Sequence, residues 1–96
     1  MMAMNEQAAQ ALINDWISEL EKLSYKGLVS LVGHVQTRTR VGEDGNEYQL
    51  EAQVFWDSKK GGDIHVMVSA DDGGLRAFFP LTSNFVIGAD GYIAGG

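Results

Sequence analysis

The stretch Tyr48–Trp56, with the sequence YQLEAQVFW, alternates apolar and polar side chains over most of its length. Successive side chains of a β-strand point to opposite faces of a sheet, so this alternation predicts a strand with one face in a hydrophobic core. Phe55 is the apolar exception on the other face. The residues predicted to face the core are Tyr48, Leu50, Ala52, Val54 and Trp56.

Segments of the same period flank this strand on both sides. Leu28–Val41 is predicted to be the first strand, with odd-numbered residues facing the core, and Ile64–Ala70 the third, with even-numbered residues inward. Leu75–Phe79 is predicted to be a fourth strand with odd-numbered residues inward, and Pro80 ends it. The turns between these strands are only about four to six residues long, too short for a parallel crossover. The strands are therefore expected to form an antiparallel meander.

The parity of the first two strands predicts how they pair. Val35 is expected opposite Val54, which places Gly33 beneath Trp56, where the missing side chain makes room for the indole. On the outer face, away from the core, the same register sets two further pairs. These are Arg38 opposite Glu51, within a charged end that also holds Arg40 and Gln49, and His34 opposite Phe55.

An amphipathic helix is predicted before the first strand, from Asn5 to about Ser24. Asn5 is the expected N-cap, and Gly27 is expected to end the helix in a left-handed conformation. The helix has one apolar stripe and each strand has one apolar face. Both are buried when the helix lies across one face of the sheet. The apolar stripe comprises Ala9, Leu12, Ile13, Trp16, Ile17, Leu20 and Leu23.

The C-terminal segment Leu81–Gly96 admits two interpretations. Phe85–Ile87 and Tyr92–Ile93 flank Asp90-Gly91, a pair suited to a type I′ turn, so a short hairpin or an extra edge strand is predicted. Thr82–Asn84 could instead cap a helical turn. The whole chain, residues 1–96, is predicted to be one α+β domain, a helix packed on a four-stranded antiparallel meander with this C-terminal addition.

The composition narrows the classes of partner and of location. Thirteen acidic and seven basic residues give a net charge of −6, which argues against binding to nucleic acid or to an anionic membrane surface. The chain has no cysteine, and no apolar run approaches the ~20 residues that span a bilayer. A cytoplasmic location is the default expectation, with a processed exported chain as the alternative.

A surface patch on the outer face of the predicted sheet is the candidate binding site. Monomers rarely leave an apolar patch of this kind exposed to water, so another part of the chain or a partner should cover it. Either the tail residues Phe85, Val86, Ile87 and Ile93 fold back over it, or a protein partner does, most simply a second copy of the chain. The favoured function is therefore a non-enzymatic binding or assembly module. The patch comprises Val32, His34, Phe55, His65, Met67 and Phe78.

No motif in the sequence predicts a cofactor, a metal or a catalytic centre. His34 and His65 are expected ~10 Å apart, too far to share an ion without a third ligand. The acidic residues fall in turns, where backbone geometry selects them, and Trp16 and Trp56 are expected in the core. The alternative function is a small-molecule site or minor enzyme between helix and sheet, with His34 or His65 as its acid–base group.

The chain ends in Ile93-Ala94-Gly95-Gly96. This terminal Gly-Gly resembles the tail of ubiquitin-like sulfur-carrier and modifier proteins, and the resemblance covers only these last residues. It implies a carrier function in which a partner enzyme adenylates the C-terminal carboxylate. Those proteins resemble a β-grasp, with two strands before the helix, whereas here the helix is predicted first.

Overall fold

The chain folds into an antiparallel sheet with a long helix across one face, in a computed structural model that describes residues 5–71 and 81–95. The strands lie in the order β1-β2-β3-β4-β5, and each pairs antiparallel with the next. The predicted α+β class is confirmed. The elements are α1 (Glu6–Glu21), α2 (Tyr25–Val29), β1 (Gln36–Val41), β2 (Glu47–Trp56), β3 (Ile64–Asp71), β4 (Leu81–Ile87) and β5 (Ile93–Gly95).

The N-terminal helix α1 begins where its capping signal predicts. The Asn5 side chain accepts a hydrogen bond from the Ala8 amide at 3.0 Å, which satisfies one of the unpaired donors of the first turn. The helix packs against β3 and β4, as the apolar stripe predicts. Its buried residues are Ala8, Ala9, Ile13, Trp16 and Leu20.

The end of α1 differs from the prediction. Lys22 is its C-cap, and Gly27 lies inside the second helix α2 instead of ending the first. Ser24 explains the difference, because its hydroxyl oxygen accepts a hydrogen bond from the Gly27 amide at 3.0 Å and so caps a new helix. Tyr25 then connects α2 to the turn between β2 and β3, since its hydroxyl donates to the Gly62 carbonyl at 2.7 Å.

The first strand is shorter than predicted. Residues 28–35 belong to the end of α2 and to the turns after it, so the strand covers only Gln36–Val41. Gly33 has φ +83° and is exposed, so it turns the backbone and does not lie beneath Trp56. The alternating sequence of residues 28–35 does not form a strand, because a serine cap and a left-handed glycine favour other backbone conformations there.

The predicted register of β1 and β2 is wrong by one residue. Arg38 lies opposite Leu50, and Thr37 lies opposite Glu51. The turn at Gly42–Asn46 sets this register, because the Gly42 amide donates to the Asn46 carbonyl at 2.8 Å and closes the hairpin on that pair. Since a one-residue shift reverses the face of every side chain, the even-numbered residues of β1 face the helix.

Strands β2 and β3 follow the predicted parity. Their even-numbered side chains lie against the helices, and Trp56, at the end of β2, is partly buried against the same core. The buried residues are Tyr48, Leu50, Ala52 and Val54 on β2 and Ile64, Val66, Val68 and Ala70 on β3. Burying one large apolar side chain contributes ~1.5–3 kcal/mol, so this uninterrupted inner face holds the fold together.

The strand next to β3 comes from the tail. Leu81–Ile87 pairs with β3, whereas the predicted fourth strand, Leu75–Phe79, was expected in this position and lies outside the described residues. Phe85 and Ile87 are buried in the core, and Thr82–Asn84 is part of the strand, so the helical-turn alternative is wrong.

The predicted hairpin between β4 and β5 is confirmed, but its turn is of another type. A type I′ turn requires positive φ at Asp90, and in the described residues only glycines have positive φ. Gly91 has φ +86°, and its amide donates to the Gly88 carbonyl at 2.8 Å. This is a three-residue loop with a glycine bulge, and the Gly42–Asn46 turn repeats its hydrogen bonds.

Candidate functional site

The outer face of the sheet carries a cross-strand row of Phe55, His65 and Val86. The register sets Phe55 on β2 opposite His65 on β3, and His65 opposite Val86 on β4. The rings of Phe55 and His65 stack, with centroids 4.9 Å apart and planes inclined by 16°. Both helices contribute to the core on the opposite face, so this row lies on the face they leave open.

The stacked pair is held in place from one side and exposed on the other. The Nδ1 atom of His65 lies 3.2 Å from Oδ1 of Asp57, the residue that follows β2. This contact fixes the plane of the imidazole, and the ring in turn supports the phenyl group. Phe55 nevertheless keeps 39% of its surface exposed. An exposed aromatic ring held in one orientation loses little conformational entropy on binding a partner.

Polarity changes along the outer face. The row next to Phe55 contains Gln53, Met67 and Asn84, and Met67 is only partly exposed there. One row further, Gln53 donates from Nε2 to Oε1 of Glu51 at 2.6 Å. The face is therefore apolar at the end near Phe55 and polar at the other. We call Phe55, His65, Met67 and Val86 the outer-face patch.

The structure brings together three of the six residues predicted for this site. Phe55, His65 and Met67 share the outer face, with Phe55 near His65 as predicted. Val32 instead packs against the core, and His34 is exposed in the connection before β1, not opposite Phe55. Both errors follow from the assignment of residues 28–35 to a strand. Phe78 lies outside the described residues.

The tail does not cover the patch in the way considered from the sequence. Phe85 and Ile87 are buried under the helix, and Ile93 packs against the same core. Val86, between them, faces outward and extends the patch next to His65. The hairpin signal at Asp90-Gly91 could have revealed this, because a strand here must alternate its faces.

A second feature lies between α1 and β1, on the opposite side of the sheet. The guanidinium of Arg38 lies 4.1 Å from the ring centroid of Trp16 and donates two hydrogen bonds to the Glu19 carboxylate, at 3.0 and 3.2 Å. Beside them is an open groove of about 160 Å³. Its lining residues are Leu12, Asp15, Trp16, Glu19, Arg38, Arg40 and Leu50.

The clearest electrostatic perturbations accompany structural contacts. The hydrogen bond from Arg38 lowers the pKa of Glu19. The hydroxyl of Tyr48 donates to Oδ2 of Asp44 at 2.6 Å, which lowers the pKa of Asp44, while burial raises the pKa of Tyr48. A buried tyrosine and an ion-paired glutamate of this kind stabilise the hairpin and the helix–sheet contact.

Two alternative functions were considered from the sequence, a histidine-containing pocket between helix and sheet and a Gly-Gly carrier. Neither His34 nor His65 lines the groove between helix and sheet. Gly95 lies in β5, where it pairs with Phe85, and the helix precedes all the described strands, so this order differs from a β-grasp. In residues 5–71 and 81–95, no three histidine or acidic side chains come together as a metal site would require. Neither of the two helices there has the length and apolar character to cross a membrane.

Comparison of this chain with protein-family models, with curated proteins and with solved structures finds no match.

Proposed function

We propose that this protein is a non-enzymatic assembly module that forms a homodimer through the outer-face patch. The observation that carries the proposal is the exposed Phe55 ring, stacked on His65 on the face that both helices leave open. Aromatic side chains, phenylalanine among them, are enriched at protein–protein interfaces. The sheet supplies a rigid support for them, since each patch residue belongs to a paired strand.

A second copy of the chain is the partner that fits this face most simply. In a two-fold interface the same patch meets itself, so the Phe55–His65 pairs pack around the axis. Gln53 and Asn84 then form a polar rim. The ends that carry Glu51 point away from the axis, so the like charges of the two copies stay apart.

The test is the oligomeric state of Phe55→Lys, measured by sedimentation equilibrium from micromolar to millimolar concentration. The wild type is expected to be a dimer. Burying an unpaired ammonium at the interface centre should weaken association by about 2 kcal/mol or more, roughly thirtyfold in Kd. Thr37→Lys is the matched control, because Thr37 on β1 is exposed on the same outer face of the sheet as Phe55, but at its polar end.

Two results would contradict the proposal. One is a wild type that stays monomeric at millimolar concentration, and the other is a Phe55→Lys variant that dimerises as well as Thr37→Lys. The melting temperature of each variant separates loss of association from loss of folding. Comparison at a concentration where both variants are monomeric removes the contribution of the dimer. The cytoplasmic location expected from the sequence stays a prediction.

A further inference from the structure

The edge of the sheet formed by β1 presents backbone groups that no other strand of residues 5–71 and 81–95 pairs. β1 is the last strand of the described sheet on that side, so only one of its edges is paired, with β2. Bonded and non-bonded pairs alternate along an antiparallel ladder. Because the Gly42 amide bonds to Asn46, the bonded pairs that follow contain Arg40 and Arg38. The backbone groups that point outward are therefore those of Thr37, Thr39 and Val41.

The side chain of Arg40 binds one of these outward backbone groups. Its guanidinium donates to the Thr39 carbonyl at 2.9 Å, which agrees with a carbonyl that β2 does not use. In the free protein this contact covers part of the edge, as charged side chains do on exposed edge strands. It is a replaceable bond, because the amide of an added strand would satisfy the same carbonyl.

The two arginines that line the groove beside this edge, Arg38 and Arg40, differ in their ion pairing. Arg38 is bound by Glu19 and stacked on Trp16. Arg40 also lines the groove and its charge helps to lower the pKa of Glu19, but within residues 5–71 and 81–95 its guanidinium forms no salt bridge. A negatively charged group that enters beside β1 therefore meets Arg40 as its first available partner.

We infer that the β1 edge binds an extended segment of an acidic partner protein as an added strand. Backbone hydrogen bonds to Thr37, Thr39 and Val41 hold the segment, and alternate side chains enter the groove against Trp16. An acidic side chain among them takes Arg40 away from the Thr39 carbonyl. Asp15 lines the same groove from α1, so the acidic group belongs on the strand side, next to Arg40.

Charge selects this occupant over a second copy of the chain. Two-fold antiparallel pairing of β1 with itself about Thr39, the middle one of its outward residues, would set Arg38 of one copy opposite Arg40 of the other, on the face toward the helices. Like charges directly opposite each other on neighbouring strands are destabilising, whereas opposite charges are favourable. The edge therefore discriminates against its own copy and favours a carboxylate-bearing strand.

The test uses a synthetic peptide with the sequence TVEVEVT, acetylated and amidated, and a second peptide with lysine in place of each glutamate. Both are titrated into the ¹⁵N-labelled protein while amide shifts are followed by NMR. The salt concentration is physiological, where a Debye length of ~8 Å screens the repulsion from the net charge of −6. The acidic peptide should shift the amides of Thr37, Thr39 and Val41 and bind about fivefold or more tightly than the lysine peptide.

Two substitutions separate the backbone and charge contributions. Thr39→Pro removes an outward amide, which the β1–β2 ladder does not need, so the variant should fold but lose binding. Arg40→Glu should remove the preference for the acidic peptide, and Lys59→Glu, with the same charge change in the β2–β3 turn, should keep it. Phe55→Lys should bind like the wild type, so this result is independent of the outer-face dimer.

The inference is overturned by any of four results. These are equal binding of the two peptides, shifts confined to the outer-face patch, unchanged binding by a folded Thr39→Pro variant, and β1 amide shifts that change on dilution without peptide. The last result would show that a second copy occupies the edge.

Discussion

The contact between Tyr48 and Asp44 shows how one side chain ties a turn to the core. The ring of Tyr48 is fully buried, yet its hydroxyl reaches Asp44 in the β1–β2 turn. Gly42 is required there, because a Cβ atom at this position would come within 2.9 Å of the Tyr48 ring. The hydrogen bond favours the ionised carboxylate, which is why the pKa of Asp44 is lowered.

Tyr48→Phe should therefore lower the free energy of unfolding in a way that depends on pH. A carboxyl whose pKa is lower in the folded state stabilises above its unfolded pKa, here near the ordinary value of 3.8, and loses this contribution as the pH falls through the folded pKa. The difference between wild type and variant should be largest at neutral pH and shrink in acid. Urea unfolding from pH 2 to 7 measures it.

Tyr25→Phe is the control for this prediction. Its hydroxyl donates to the uncharged Gly62 carbonyl, so its loss should lower stability by the same amount across the acid range. If the two variants show the same pH profile, the Tyr48 hydroxyl does not act through the Asp44 carboxylate.

Predictability from the sequence differs among the elements. The alternation of Tyr48–Trp56 and Ile64–Ala70 identified two central strands correctly, because both are buried by the helix on one face and their pattern has no competitor. The same reasoning failed for residues 28–35. There, the Ser24 cap and the positive φ of Gly33 determine the backbone conformation. Both are local effects that an alternating pattern of apolar residues does not reveal.

Two glycine substitutions test this difference directly. Gly27 is helical, and an added Cβ atom would meet only ordinary contacts, so Gly27→Ala should stabilise the protein by about 1 kcal/mol. Gly33 has φ +83° with open space around it, so Gly33→Ala should destabilise by about 1 kcal/mol through backbone strain alone. Thermal unfolding of both variants measures the two shifts. If Gly27 were a left-handed helix stop and Gly33 a strand residue, the signs would be reversed.

For the molecule as a whole, the sequence predicted the layers but not every residue's place in them. A helix over an antiparallel sheet follows from apolar periodicity, which long-range packing must satisfy. The candidate site depends on side-chain faces. One wrong strand start removed Val32 and His34 from the predicted patch, and one wrong register moved Arg38 and Arg40 to the helix side. Register is set by the Gly42–Asn46 turn, and the hydrophobic pattern of β1 is too weak to specify it independently.

The connection between the helix layer and the β1 edge rests on Arg38. It stacks on Trp16 and binds Glu19, both on α1, while its backbone belongs to β1. Arg38→Ala should expose the indole and loosen β1 relative to the central strands. Arg38→Lys should rescue little, because an ammonium group lacks the planar face that stacks on the ring and the fork that binds a carboxylate at two points.

The measurement combines fluorescence and hydrogen exchange in a Trp56→Phe background, so that Trp16 is the only indole. Arg38→Ala is expected to shift Trp16 emission to longer wavelength and to speed amide exchange in β1, with β3 unchanged. Glu19→Gln serves as the matched comparison: an exposed ion pair contributes little to stability, so the stacked arginine should still cover the indole. An Arg38→Ala variant with wild-type emission and β1 exchange would show instead that backbone pairing with β2 alone positions this edge.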